Sequence, residues 1–291
     1  MSERTSDHKR RASLPPSPTR KAPRLAAGRA RALGLPTRGT TNANRLRRVD
    51  RWVLATQLPR IRDAARPLVV DLGYGSSAVT TLELVERLAP QVMGLQVVGL
   101  EIDPARVAAV EADRDPPRVD FRVGGFELAG LHPVLVRAFN VLRQYDEASA
   151  GQAWDTMCAA LGPGGLLVEG TCDEFGRRSA WVALDADGPL TLTLSAQLSD
   201  IDTPSDLAER LPKALIHSNV RGQPVHDFLR ALDAGWAAAA GLSTFGPRQR
   251  WIAAVESVAE QGWPLIGSSR RWRLGEVTVR WSAVAPVAPA V

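Results

Sequence analysis

Cysteine is nearly absent from this chain of 291 residues: Cys158 and Cys172 are the whole supply. Two cysteines make no disulfide framework, and no CxxC or Cys/His spacing points to zinc. A reducing cytoplasm fits that usage best. Long apolar runs are missing too. No stretch of about 18 uncharged apolar residues occurs, which argues against a transmembrane helix. The first residues are basic but lack an apolar h-region, so no secretory signal is expected. Lysine is scarce, with only Lys9, Lys21 and Lys213, and arginine therefore carries nearly all the positive charge.

What is there is ordinary for a soluble globular protein: 45% hydrophobic and 23% charged residues. The length suits one large domain or one domain with an appendage. The charge is unevenly placed. Residues 1–50 hold 13 Lys+Arg against 3 Asp+Glu, while the whole chain holds 36 against 31, so the remainder is acidic. The basic balance belongs to the N-terminal arm. Rich in Arg, Pro, Ser and Ala, residues 1–40 are expected to be disordered, with nucleic-acid phosphates as one possible partner.

Residues 41–200 read as a core. Asn42 or Asn44 is placed to cap a helix running to about Ala65, with Leu46, Val49, Val53 and Leu54 on one face. Strands are predicted at 68–72, 95–102, 119–123, 134–141 and 166–170. Helices between them are predicted at 79–88, 104–113 and 147–161. Such alternation implies parallel βαβ units, a doubly wound α/β sheet. The segments 179–184 and 190–194 flank Asp185-Ala-Asp-Gly-Pro189 and read as an antiparallel hairpin. Residues 201–291 read as a helical elaboration closing on a strand at 275–283 that joins the core. The seven tryptophans after residue 150 are assigned to core or to a helix–sheet interface.

The richest local signal is Val69-Val-Asp71-Leu-Gly73-Tyr-Gly75-Ser-Ser77. A β-branched run ends in an acid, a glycine pair follows, and a helix begins. Strand, tight turn and helix N-terminus together cradle part of a nucleotide-like cofactor. An acid two residues before the first glycine points to S-adenosylmethionine (SAM) rather than a dinucleotide. Further along stand Glu101 at the end of the second strand and Gly125-Phe126 after the third. Asn140 follows the fourth strand, and Gly162-Pro-Gly-Gly165 precedes the fifth.

In this order the motifs resemble class I SAM-dependent methyltransferases over residues 66–172. Asp71-x-Gly73-x-Gly75 looks like the family's first motif, with Ser76 and Ser77 where a third glycine often lies. The resemblance implies that Gly73 and Gly75 let backbone approach the cofactor's methionine portion. It implies that Asp71 orients that loop and the cofactor's amino end, directly or through water. Glu101 takes the place that binds both ribose hydroxyls, with Asp103 as a lesser partner or a helix N-cap. Gly125 replaces an acid usual near the adenine, leaving recognition to backbone groups and Phe126 stacking. Asn140, in Phe139-Asn-Val-Leu-Arg143, would lie near the methyl donor and resembles the chemotaxis-receptor-type enzymes. It is not the Asp/Asn-Pro-Pro-Tyr signature of enzymes that methylate nucleic-acid amino groups.

The implied activity is methyl transfer from SAM to an O, N or C nucleophile on a small molecule or protein. Alternatives are an RNA methyltransferase using the basic arm and a non-catalytic SAM-binding protein. NAD stays open through Gly73-x-Gly75-x-x-Ala78, which satisfies a relaxed dinucleotide fingerprint. For catalysis Asn140 and His217 are the candidates, with His226 beside Asn219 as another. Cys172 reads as a buried, inert thiol rather than a nucleophile. Arg177 and Arg178 are placed to grip an anionic substrate or to line a solvated loop.

Overall fold

The computed structural model describes residues 42–287; the predicted arm at 1–40 lies outside them. Nine strands form one sheet in the order β3-β2-β1-β4-β5-β6-β7-β9-β8. The parallel half comprises β1 (Leu68–Leu72), β2 (Gln96–Glu101), β3 (Val119–Val123), β4 (Leu135–Phe139) and β5 (Leu166–Cys172). The antiparallel half comprises β6 (Arg178–Asp185), β7 (Gly188–Ala196), β8 (Leu265–Ile266) and β9 (Glu276–Arg280). The fold is doubly wound and Rossmann-like, with the order reversing between β1 and β4.

Alternation along the strands supplies both faces. Val69, Val97, Leu135 and Val168 enter one apolar layer, beneath α1 (Arg47–Thr56), α2 (Leu58–Arg62) and α3 (Val79–Leu88). Val70, Val98, Val136 and Leu167 enter the other. That second layer is covered by α5 (Glu147–Ala159), α7 (Pro224–Ala238) and α8 (Pro247–Glu260). Strands buried on both faces read as near-continuous apolar runs, as β1 and β4 do.

Local chemistry sets the element ends. The helix predicted to run unbroken to Ala65 divides at Gln57, because Pro59 lacks an N–H and crowds the preceding turn. Asp103 caps α4 (Pro104–Ala109) by accepting from the Ala105 N–H at 2.9 Å, and Asp146 caps α5 by accepting from Ser149 at 2.7 Å. The helix predicted to Asp113 stops at Ala109 and continues as a 3-10 turn at Glu111–Asp113. Past residue 200 come α6 (Lys213–Ile216), α7, α8 and the single turn α9 (Ser269–Trp272), and then β9 pairs with β7. Among the described residues no helix is long and apolar enough to cross a membrane.

Candidate cofactor site

The carboxyl ends of β1 to β4 meet at one rim. The chain leaves β1 through Gly73, whose amide donates to the Leu100 carbonyl at 2.7 Å, and turns through left-handed backbone at Gly73 (φ 71°) and Gly75 (φ 90°). A Cβ on Gly73 would stand 2.6 Å from Val141 Cγ2, so the segment after β4 closes directly over the loop. Only glycine meets both the dihedral and the space there.

Glu101 faces this loop from the end of β2 and is 5% exposed. Its Oε2 accepts from the Gly75 amide at 3.1 Å and from Arg106 at 3.4 Å. Its Oε1 accepts from the Ile102 amide at 2.9 Å. The carboxylate is thereby fixed in orientation, with both oxygens already working as acceptors. A diol binding here would share or displace the Gly75 and Arg106 donors. Arg106 was not singled out from the sequence. Its signal is a cation in the first helical turn after β2, five residues beyond the acid.

Asp71 lies below the loop rather than in it. It projects from the same sheet face as Val69, into the layer under α1 and α3. Its Oδ1 accepts from Arg137 Nε at 3.0 Å and its Oδ2 from Arg137 Nη2 at 2.7 Å. Thr81 donates to the same Oδ2 at 2.7 Å. Arg137, in the middle of β4 and fully buried, also pairs with Asp50 of α1 and donates to the Thr80 carbonyl at 2.9 Å. Arg87 closes the network on Asp50 at 2.8 Å. Burial works against the Arg137 charge, yet Asp50 and Asp71 together hold its pKa above the ordinary range. Asp71 thus anchors the start of the loop and α3.

After β3, the Gly125 amide donates to Glu127 Oε1 at 2.7 Å, and the Phe126 ring meets Tyr145 edge-on with centroids 5.4 Å apart. These two aromatics come from the segments after β3 and β4 and border the same rim. Asn140 sits at the end of β4 in left-handed backbone (φ 61°). Its amide is engaged sideways with β5: Nδ2 donates to Cys172 Sγ at 3.2 Å, and Oδ1 accepts from the Cys172 amide at 3.0 Å. Burial pushes the Cys172 thiol pKa up, which keeps it protonated and short of a nucleophile.

The remaining candidates lie elsewhere. His217 is exposed on the C-terminal side of α6, and its Nε2 lies 2.9 Å from Lys213 Nζ. Lysine has only donors, so that ring nitrogen is the acceptor. His226 bonds Asn219 through Nδ1 at 3.2 Å. Arg177 pairs with Asp200 at 3.0 Å and lies over the Phe175 ring; Arg178 pairs with Glu209 at 3.0 Å. Among the described residues no group of three His, Cys, Asp or Glu is gathered to hold a metal ion.

No family model and no curated protein matches the sequence. Solved structures do match. Human N-acetylserotonin methyltransferase in complex with SAM is 22% identical, over 44% of this chain and 35% of that one, with a TM-score of 0.33. Magnesium protoporphyrin IX methyltransferase from Synechocystis PCC 6803, with bound SAM, is 18% identical over 44% and 58%, at 0.34. The glycopeptide N-methyltransferase MtfA is 14% identical over 55% and 58%, at 0.35. The chain spans less than two thirds of the length of each, and likeness of this degree says nothing of the reaction. The parallel strand order β3-β2-β1-β4-β5, with the glycine loop at the β1 carboxyl end and β1 beside β4, is the doubly wound, Rossmann-like order.

Proposed function

We propose that this chain binds SAM at the β1–β4 rim and transfers its methyl group to an O, N or C nucleophile on a small molecule or protein. The observation that carries the reading is the joined pair of Gly75 and Glu101. A buried carboxylate at the end of β2 is held by the backbone of the glycine loop, at the point where the sheet order reverses. Ligands of open α/β sheets bind at that switch point. The residues present fit the cofactor: Gly73 and Gly75 admit close backbone approach, Glu101 offers acceptors for a ribose diol, and Phe126 with Tyr145 borders the place of an aromatic base.

SAM, when bound, supplies an activated methyl group on a sulfonium. The chain's own task is binding, alignment and exclusion of water. Glu101 would fix the ribose end. The loop amides would approach the methionine end, and the segment from Val141 to Tyr145 would cover the cleft. A second reading, binding without transfer, draws support from Asn140 and His217, whose side chains are spent on Cys172 and Lys213.

Glu101→Ala tests the site. Loss of charge-assisted bonds to the ribose is expected to weaken SAM binding by about 1–3 kcal/mol, read by calorimetry. Unchanged affinity in a folded variant would remove Glu101 from the site. Transfer of labelled methyl to protein or metabolite fractions separates the enzymatic reading from the binding one.

A further inference from the structure

A second concave site stands on the same rim of the sheet, away from the glycine loop. Cys172 at the end of β5 pairs with Ser179, Ser179 with Ser195, and Ser195 with Glu276, so one transverse row runs from β5 to β9. Over the β7 and β9 end of that row lies a cavity of about 540 Å³. Counting strands from β1, it begins about 19 Å from the glycine loop.

Its lining is dominated by guanidinium groups: Arg47, Arg48 and Arg51 from α1, Arg248 from α8, and Arg271 and Arg273 from α9 and its end. One carboxylate, Glu276, faces these six, and it is already gripped by Arg271 through Nε at 2.8 Å and through Nη2. Arg48 is built into the wall, donating to the Gly176 carbonyl at 3.1 Å, to Ser195 Oγ at 3.3 Å and to the Leu274 carbonyl at 3.2 Å. Among the described residues, Arg47, Arg51, Arg248 and Arg273 form no ion pair. The N-terminus of the fourteen-residue helix α8 opens here as well, with Gly246 as its cap and no side-chain acceptor on its first amides. Phe245, 74% exposed, stands at the mouth.

Gathering like charges around a hollow costs stability unless a counter-charge fills it. The strain registers at Arg48, where burial and then Arg47 and Arg51 lower the pKa to about 10 against the pull of Glu276. The chain's own N-terminal segment carries net positive charge, since residues 1–41 hold ten Lys+Arg and two Asp+Glu. A single carboxylate would answer only one of the arginines. Guanidinium forks match phosphate oxygens in pairs, and helix N-termini favour the same group.

We propose that this cavity is a binding site for an oligophosphate, a small ligand whose two or more linked phosphate groups are held by Arg47, Arg51, Arg248 and Arg273. The site does not depend on the methyl-transfer reading, and its test reads phosphate binding alone. The probe is inorganic tripolyphosphate, titrated calorimetrically into the full chain at moderate salt, with a single-stranded RNA oligonucleotide as a parallel arm. One variant carries Arg47→Ser, Arg51→Ser, Arg248→Ser and Arg273→Ser. A charge-matched control carries Arg66→Ser, Arg221→Ser, Arg230→Ser and Arg280→Ser, all outside the cavity. Tripolyphosphate is expected to bind the native chain and the control alike, and to lose about tenfold or more in affinity for the cavity variant. The proposal is overturned by absent tripolyphosphate binding to the native chain or by equal losses in variant and control. RNA bound through these arginines with tripolyphosphate silent would also overturn it, since the site would then serve an extended backbone.

Discussion

Arg137 shows how a charged residue can occupy the centre of a parallel strand. Its guanidinium meets Asp71, Asp50 and the Thr80 carbonyl, so β1, α1 and α3 each have a polar tie to β4. Removing one member of such a buried network leaves a buried charge short of its partner. Arg137→Met is therefore expected to cost about 3–5 kcal/mol in urea unfolding, because it takes the buried counter-charge from Asp71 and leaves Asp50 with Arg87 alone. A loss below 1 kcal/mol would mean that the network holds little. Glu169 is the opposite case. It is buried in β5 with one bond, from Trp154 Nε1 at 3.3 Å to Oε2, while Oε1 has no partner. Burial pushes its pKa up to about 8, so the folded chain keeps a proton that the unfolded chain releases from the ordinary glutamate range upward. Between those two values the folded state binds more protons, and rising pH disfavours it by about 1.4 kcal/mol per pH unit. Glu169→Gln, which keeps an acceptor for the indole, is expected to remove that slope. Unfolding free energies of both proteins from pH 5 to 8 check it, and parallel profiles would contradict it.

At the scale of elements, the N-terminal helix α1 is docked onto the turn between β5 and β6 by its first turn and the residues that lead into it. Asn42 Nδ2 donates to the Glu174 carbonyl at 2.9 Å, Arg45 Nε to the Asp173 carbonyl at 3.0 Å, and Arg48 Nε to the Gly176 carbonyl. A Cβ on Gly176 would collide with the Arg45 carbonyl, and its φ of 65° already favours glycine. Gly176→Ala is expected to cost about 1–3 kcal/mol and to free α1 selectively. Hydrogen exchange should rise in residues 45–56 while β1 and β4 stay protected, and a uniform rise would contradict that docking.

The same elements show what could be read in the sequence. Strands 68–72 and 119–123 match residue for residue, because the first is a largely apolar run and the second, Val-Asp-Phe-Arg-Val, alternates at strand period, each between turn signals. The α1–α2 break was written in Pro59 but masked by continuous apolar spacing on either side. The 3-10 turn at 111–113 and the two-residue strand β8 carry no periodicity long enough to register. At the rim, the glycine loop was legible from local order and Glu101 through the family resemblance, and the two meet in the fold. The partner of Asp71 was not, since Arg137 lies 66 residues away and reads as a surface charge until the strands pair. Nor was the engagement of Asn140 with Cys172, 32 residues on.

At the scale of the molecule, one rim of the sheet carries both proposed sites. The parallel half presents a glycine loop and a buried acid, and the antiparallel half presents an arginine-lined hollow. The division follows charge as well as topology, since α1, which supplies three of those arginines, continues directly from the basic N-terminal segment. Packing on both faces fixes the sheet and so fixes the separation of the two places. The central claim concerns the first of them, and a ligand that binds only the folded chain will both bind and stabilise it. The measurement that tests it most directly is calorimetric titration of the full chain with SAM, with its demethylated product and with NAD in parallel. The account predicts saturable binding of SAM and its product and none of NAD, whereas binding of NAD alone, or of none of the three, would contradict it.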